Sequence, residues 1–195
     1  MTALTDVLVA AVCLWQLRNH RHTIKDKDWR GFYFFVGIST LLGAFIHAFL
    51  PNHSGMTYML MWLLMQLISG LATYFAERAT IISFHFPSKW IFYCQLKFAV
   101  FAVSVIYAQH FSVVLVNNVL GLLPVLFIHL LHPQRTAQHT RIGLGLVIQC
   151  LAGLVFALKI SPHVDFDHKA LAHVVMAMGL VLPDPSERGE NVGCL

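Results

Sequence analysis

The stretch Gly31–Leu50, GFYFFVGISTLLGAFIHAFL, decides the fold, because it contains no Asp, Glu, Lys or Arg. At 1.5 Å per residue, a helix of this length covers about 30 Å, the thickness of the hydrocarbon part of a bilayer. Its apolar residues are continuous, whereas a membrane-spanning strand alternates apolar and polar residues. The stretch therefore predicts a transmembrane helix with one ionisable side chain, His47, near its end.

Similar blocks recur along the 195-residue chain, of which 57% is hydrophobic and only 11% is charged. An ordinary soluble domain carries about 25% charged residues. The predicted helices lie near residues 3–17, 31–50, 56–76, 90–108, 111–131, 142–160 and 168–182. We therefore predict an all-α fold, a polytopic membrane protein with a seven-transmembrane-helix bundle. It forms one domain, residues 1–183, and we expect residues 184–195 to be a polar, disordered tail.

The distribution of Lys and Arg predicts the orientation of this bundle. These residues are frequent in the first, third and fifth links and scarce in the others, and cytoplasmic loops carry an excess of them. This pattern predicts a multi-pass protein of the cell membrane, the inner membrane in a Gram-negative source, with the N-terminus outside and the C-terminus inside. Despite a formal charge of +4, we expect no nucleic-acid partner, because the basic residues follow the loops; the expected partner is the lipid bilayer.

That orientation gathers acidic and imidazole side chains at the outer mouth. Ionisable residues inside a membrane usually face the bundle interior or a cavity. Three imidazoles, those of His47, His168 and His173, are candidate metal ligands, since they leave a fourth position for water as in a catalytic zinc site. Asp6 is the candidate catalytic residue, which would orient the ligands or move a proton.

Helix geometry limits this zinc hypothesis. The step from His168 to His173 turns about 500°, so their side chains lie roughly 140° apart on a regular helix. Both can bind one metal only if His168 lies at a frayed helix start, with Asp167 or Asp165 as the N-cap.

Other polar residues receive simpler interpretations. Lys97 has Glu77 as its candidate ion-pair partner, and we interpret His129 as an interfacial side chain of the inner face. The candidate cavity-lining residues are His110, Asn117, Asn118 and Asp167.

Short motifs carry a resemblance to known families: the Asp of ALTD, GAFIH at the end of helix two and FDHKALAH at the start of helix seven. They resemble an uncharacterised prokaryotic family of small seven-helix membrane proteins, whose last motif has the form FNHNxxYH. Three positions match this motif: Phe166, His168 and His173. Three positions differ from it: Asp167, Lys169 and Ala172.

The chain is also similar, more distantly, to the alkaline ceramidase and progestin-receptor-like superfamily. That similarity implies zinc-dependent hydrolysis of lipid amides, with His47 and His173 among the metal ligands. The pattern departs from the superfamily at Gly43, where a Ser is usual, in the third helix, which lacks an Asp, and in the five-residue histidine spacing.

Three functions remain open at this point, and whether the protein is an enzyme is one of the open questions. We favour a non-enzymatic membrane module, an ion or small-solute carrier or an assembly subunit, because the catalytic constellation is incomplete. The alternatives are a zinc-dependent membrane hydrolase of a lipid amide or ester, and a haem protein with ligands among His47, His173 and His110. A lipid or a small molecule is the candidate ligand.

Overall fold

The computed structural model describes residues 1–19, 27–50, 55–163 and 166–182, and seven helices make up most of this part of the chain. The helices are α1 (Thr2–Asn19), α2 (Lys27–Phe49), α3 (Met56–Ser83), α4 (Lys89–Ala108), α5 (Phe111–Leu131), α6 (Ala137–Ala157) and α7 (His168–Val181). The predicted all-α fold with seven helices is confirmed. The predicted tail, 184–195, lies outside the described residues.

Five of the helices, α2 to α6, are long and apolar enough to cross a membrane, judged by length and composition over the described ranges. The helices α1 and α7 are not among them. The 14 residues of α7 cover about 21 Å, less than the roughly 30 Å of bilayer hydrocarbon. Of the seven spans predicted from the sequence, five therefore have the length and composition that a membrane crossing requires.

Two helices extend beyond their apolar blocks at one end of the bundle. The helix α2 begins at Lys27, before the block near residue 31, and α3 continues to Ser83, past residue 76. An ion pair joins these extensions, with Arg78 Nε 3.5 Å from Asp28 Oδ2. An apolar run in the sequence predicts only the apolar part of a helix. Terminal turns that are stabilised by polar or ionic pairs, such as those of α2 and α3, extend beyond it.

Capping residues set the starts of α6 and α7. Thr136 Oγ1 accepts a hydrogen bond from the His139 backbone N–H, and His139 Nδ1 accepts one from the Thr136 N–H. This reciprocal cap starts α6 before its apolar run near residue 142. At α7, Asp167 Oδ1 accepts from the Ala170 N–H at 2.9 Å, so Asp167 is the N-cap.

Six of the seven described helices form a closed ring in the order α1, α2, α3, α5, α6, α7, with α7 returning to α1. The helix α4 packs on the outside of this ring, against α3 and α5. Apolar side chains fill much of the interior, including Val9, Cys13, Phe32, Tyr33, Ala76, Val125, Leu146 and Leu180. Close packing of these side chains contributes van der Waals contacts that hold the helices together.

Contacts between helices define two ends of the bundle. Gly37 faces Cys13, and Gly43 faces Asp6, so α1 and α2 are antiparallel. The odd-numbered helices α1, α3, α5 and α7 all begin at the end that we call the Asp6 end. The even-numbered helices begin at the opposite end, which we call the Asp28 end.

A glycine lets α6 and α7 approach backbone to backbone. A Cβ built on Gly179 would lie only 2.7 Å from the carbonyl oxygen of Gly145 and 3.2 Å from Cβ of Ile148. Real Cβ atoms do not approach a backbone oxygen so closely, and small residues at helix contacts permit such packing. The short helix α7 is therefore held tightly against α6.

Candidate functional site

A carboxylate and an imidazole meet near the Asp6 end, between α1 and α7. Asp6 Oδ1 is 3.2 Å from His173 Nδ1, and the two side chains are 4% and 21% exposed. Thr5 Oγ1 lies 3.4 Å from the same nitrogen. The Thr5 hydroxyl donates to the Thr2 carbonyl at 2.8 Å, so it is free to accept from an Nδ1–H of His173. The imidazole nitrogen thus faces two oxygen acceptors.

The helix α2 packs against this pair in addition to α1 and α7. A Cβ at Gly43 would lie 3.4 Å from Cγ and from both oxygens of Asp6, so the glycine lets the carboxyl group pack close to the α2 backbone. His47, also on α2, interacts electrostatically with His173. Lys169 on α7 interacts electrostatically with Asp6. The structure therefore brings three of the residues singled out in the sequence, Asp6, His47 and His173, into one region.

One oxygen of this carboxyl group lacks a hydrogen-bond partner in the described part of the chain. Asp6 Oδ2 is buried and accepts no hydrogen bond from the described residues. Leaving a buried acceptor unsatisfied costs about 1 to 3 kcal/mol, and more if it is charged. A proton on Oδ2, or a donor brought by water or a ligand, would remove that cost. Asp6 Oδ2 is therefore the atom of the pair at which a proton or a further hydrogen-bond donor would be stabilised.

His168 points away from the pair. Its ring centroid lies 5.6 Å from that of Phe156 on α6, and its backbone N–H donates to Ser161 Oγ at 3.0 Å. His173, in contrast, faces α1. The condition that Asp167 caps the helix is met, yet the cap does not bend His168 over the site. The roughly 140° separation expected for a regular helix describes the two histidines correctly.

The described parts of the chain, residues 1–19, 27–50, 55–163 and 166–182, contain no group of three or more His, Cys, Asp or Glu side chains that could hold a metal ion. The zinc site predicted from His47, His168 and His173 therefore finds no support in these parts. Asp165, the alternative cap, lies outside the described residues.

The other candidate cavity-lining residues lie on α5 and away from Asp6. His110 is exposed and caps α5, since its Nδ1 accepts from the Ser112 N–H at 3.2 Å. Asn118 Oδ1 accepts from the Thr73 hydroxyl at 2.7 Å. Asn117 is buried, and its amide nitrogen has no hydrogen-bond acceptor among the described residues. These two asparagines belong to the region where α3 and α5 pack together.

A second set of polar side chains occupies the α3–α4–α5 interface, and we call it the polar file. Its members are Thr73, Glu77 and Thr80 of α3, Lys97 of α4, and Asn118 and His129 of α5. Spacings of four and three residues place the α3 members on one helix face. Three direct contacts link the helices: Thr73 with Asn118 at 2.7 Å, Glu77 with Lys97 at 2.6 Å, and Thr80 with His129 at 3.1 Å. The predicted partnership of Lys97 and Glu77 is thereby confirmed.

The space for the ion pair comes from Gly121 on α5. A Cβ at this position would collide with Thr73 Cγ2, and it would lie 2.6 Å from Lys97 Nζ and 3.1 Å from Glu77 Oε1. The missing side chain is what lets the lysine reach inward from α4 to the carboxylate.

The interpretation of His129 as an interfacial side chain is wrong. Its side chain is fully buried, with its ring centroid 5.6 Å from that of Trp29, 5.2 Å from Phe84 and 5.3 Å from His139. From the apolar block of α5, His129 lies near the end of a membrane span, where we expected contact with lipid headgroups. The helix α3 continues to Ser83, however, and its last turns cover His129. The spacing of polar residues along α3 could have indicated this partner.

Gln16 is a structural polar residue that sequence reasoning missed. It is fully buried on α1, and its amide nitrogen donates to the Leu180 carbonyl at 2.8 Å and approaches the Val181 carbonyl at 3.4 Å. Carbonyls in the last turn of a helix lack partners within that helix, so Gln16 satisfies the end of α7. Polar contacts therefore connect α1 to both ends of α7, through Asp6 and Thr5 at its start and through Gln16 at its end.

Comparison with protein families matches residues 1–183 to a family described as a family of unknown function (DUF6962). The resemblance to an uncharacterised family of helical proteins is consistent with this match. No curated protein and no solved structure matches the chain. The link to alkaline ceramidases and the FNHNxxYH motif are not supported by these comparisons.

Proposed function

We propose that this chain, which belongs to the family of unknown function DUF6962, is an integral membrane ion carrier in which the Asp6–His173 pair binds and releases a proton. One observation carries the proposal. The Asp6 carboxyl group is almost fully buried, it contacts the imidazole of another helix, and its second oxygen has no hydrogen-bond partner among the residues that the structure describes.

The outer surface of the bundle supports a location in a membrane. Monomeric soluble proteins rarely expose contiguous apolar patches larger than a few hundred Å². Large apolar side chains are exposed on all seven described helices, among them Leu14, Phe34, Phe45, Leu64, Phe92, Val100, Val116, Leu120, Phe127, Leu144, Leu154 and Met178. Lipid would cover these side chains, and five helices have the length and composition to cross it.

The charges at the two ends support an orientation in the cell membrane. Among the described residues, the Asp28 end holds Arg18, Lys27, Arg30, Arg78, Lys89, Arg135 and Arg141, and the Asp6 end holds Lys159 and Lys169. The positive-inside rule then places the Asp6 end outside, with the N-terminus. The pair would exchange protons with the outer solution.

The carboxyl group and the imidazole of the Asp6–His173 pair are groups that bind and release protons. A carboxyl group and an imidazole at 3.2 Å share one proton, which moves between Oδ1 and Nδ1 without changing the total charge of the pair. At an effective dielectric constant near 20, the ion-pair form gains about 5 kcal/mol of Coulombic attraction, which offsets part of the desolvation of both charges. Exchange with solution changes the charge of the pair by one unit, and imidazole is suited to this near neutral pH.

Proton flux through reconstituted protein tests the proposal. Liposomes would trap the pH-sensitive dye pyranine, and a potassium gradient with valinomycin would impose the membrane potential. We expect the wild type to carry protons faster than protein-free liposomes do, and His173→Gln to fall to the protein-free rate. The matched control is His168→Gln on the same helix, which should keep the wild-type rate because His168 faces Phe156.

Two results would refute the carrier proposal. One is a wild-type flux equal to that of protein-free liposomes. The other is a His173→Gln protein that carries protons at the wild-type rate. Gel filtration and thermal melting of each variant would establish that a lost flux does not come from unfolding.

A further inference from the structure

The polar file and Asn117, the neighbour of its member Asn118, contain buried atoms without hydrogen-bond partners among the described residues. They are Glu77 Oε2 on α3, and His129 Nδ1 and Asn117 Nδ2 on α5. Native proteins usually satisfy such buried groups, often with internal water. The unsatisfied atoms therefore point to a molecule that bonds to several of them.

Hydrogen-bond directions show what kind of molecule is needed. The Thr80 hydroxyl donates to the Ala76 carbonyl at 2.9 Å, so its 3.1 Å contact with His129 Nε2 requires the histidine N–H to donate. This tautomer leaves His129 Nδ1 as an acceptor. Glu77 Oε2 is also an acceptor when ionised. Both atoms require a donor, whereas Asn117 Nδ2 requires an acceptor, and water supplies both.

Distances along α3 fit bridging water. Thr73, Glu77 and Thr80 are four and three residues apart, which corresponds to about 6 and 4.5 Å along the helix axis. A water molecule that bonds to two groups spans about 5.6 Å, because each bond is about 2.8 Å long. A few waters are therefore enough to connect Glu77 to His129.

We infer that the α3–α4–α5 interface holds a file of internal waters that relays protons between Glu77 and the Asp28 end of the bundle through His129. This inference concerns a different site from the Asp6–His173 pair and does not rest on it. A proton leaves the Glu77 carboxyl group for water, and water delivers a proton to His129 Nδ1. The imidazolium then releases that proton from Nδ1 to a water on the side of His139, from which it enters the solution at the Asp28 end, and Glu77 is left as a carboxylate. The reverse steps bring a proton from that solution back to Glu77, so one proton is transferred and no other reactant is needed.

The groups around Glu77 favour a proton over a metal cation. From α4, the Lys97 ammonium group lies 2.6 Å from Glu77 Oε1, and the Cys94 thiol lies beside the carboxyl group. The positive charge of Lys97 would repel a second cation at this distance. From α5, Asn118 accepts a hydrogen bond from Thr73, and on α2 Asp28 pairs with Arg78 of α3.

The route from His129 to solution passes His139. The two rings lie 5.3 Å apart, and His139 is partly exposed near the start of α6, at the Asp28 end. The file therefore leads from the interior towards the basic end of the bundle.

Radiolytic labelling of the full chain in lipid nanodiscs tests for the waters. Hydroxyl radicals made from bound water modify side chains beside that water, and mass spectrometry locates each modification. We expect Cys94 and His129 to be labelled rapidly and the buried Cys13, which lies in the apolar core, to be labelled slowly. Labelling of Cys94 and His129 at no more than the Cys13 rate would overturn the inference.

Carbodiimide labelling tests the proton relay itself. Dicyclohexylcarbodiimide reacts with protonated carboxyl groups in apolar surroundings, and Glu77→Gln identifies the labelled residue. In liposomes with separately buffered sides, the Glu77 rate should fall about tenfold for each unit that pH rises at the Asp28 end, once Glu77 is mainly ionised. A rate that follows only the pH at the Asp6 end, or neither pH, would refute the relay. Neither assay reads proton flux, so their outcomes are separate from the test of Asp6 and His173.

Discussion

The Glu77–Lys97 pair predicts a strongly non-additive double-mutant cycle. At 2.6 Å and an effective dielectric constant near 20, the attraction is about 6 kcal/mol, and desolvation of the two charges offsets several kcal/mol of it. Lys97→Met leaves a carboxylate that is only 11% exposed without its partner, and this should reduce the free energy of unfolding by about 3 to 5 kcal/mol. Glu77→Gln should reduce it less, because Lys97 is 25% exposed and can move towards water.

The double variant Glu77→Gln/Lys97→Met should unfold within about 1 kcal/mol of the wild type, because no unpaired charge remains. Lowering the pH should reduce the loss in Lys97→Met, since a proton neutralises the stranded carboxylate. Equilibrium unfolding in detergent micelles, followed by tryptophan fluorescence, measures all four proteins. Effects of the single variants that simply add in the double variant would refute this reasoning.

The Asp28–Arg78 pair provides a control cycle. Its atoms are 3.5 Å apart, and the Arg78 side chain is 39% exposed. The Asp28 side chain is only 7% exposed, but its cation is more exposed and further away than Lys97 is from Glu77, so solvent screens the attraction more strongly. The variants Asp28→Asn and Arg78→Met should therefore show much weaker coupling than the buried pair. Equal coupling in the two cycles would show that burial does not determine the interaction energy.

The remaining predictions concern α7. In thermal unfolding, the Gly179→Ala protein should be less stable than the Gly153→Ala protein by about 1 to 3 kcal/mol. Both substitutions raise helix propensity, but only the one at Gly179 places a Cβ against a backbone oxygen. Equal stabilities of the two variants would contradict the close packing of α6 and α7. Asp167→Ala should lose about 1 kcal/mol at neutral pH through loss of the cap. Burial alone would raise the pKa of Asp167, but the Ala170 N–H bond and neighbouring charges outweigh it and hold that pKa below its ordinary value. The cap therefore contributes stability above about pH 4, and the difference in stability between Asp167→Ala and the wild type should shrink as pH falls further. A stability difference that does not change with pH would contradict this role of Asp167.

The positions of the helices and the location of Asp6 and His173 at one end of the bundle follow from local sequence patterns. Continuous apolar runs give the helix positions, and alternation of direction assigns both residues to the same end. Helix periodicity also separates His168 from His173. What the sequence does not contain is the order of helices around the ring, which places α1 beside α7 and leaves α4 outside.

The buried polar contacts were harder to predict because they depend on that order. His129 lies near the end of its apolar block, and only the extension of α3 to Ser83 buries it. Gln16 finds its acceptors on a helix that is distant in sequence, so no local spacing indicates its role. Gly121 matters only because two other helices place side chains against it.

The most direct test of the carrier proposal compares Asp6→Asn with Asp28→Asn in the pyranine liposomes. Both changes remove one buried carboxylate, and the two residues lie at opposite ends of the bundle. We predict that Asp6→Asn reduces proton flux to the rate of protein-free liposomes while Asp28→Asn keeps the wild-type rate. A folded Asp6→Asn protein that carries protons as fast as the wild type would contradict the proposal.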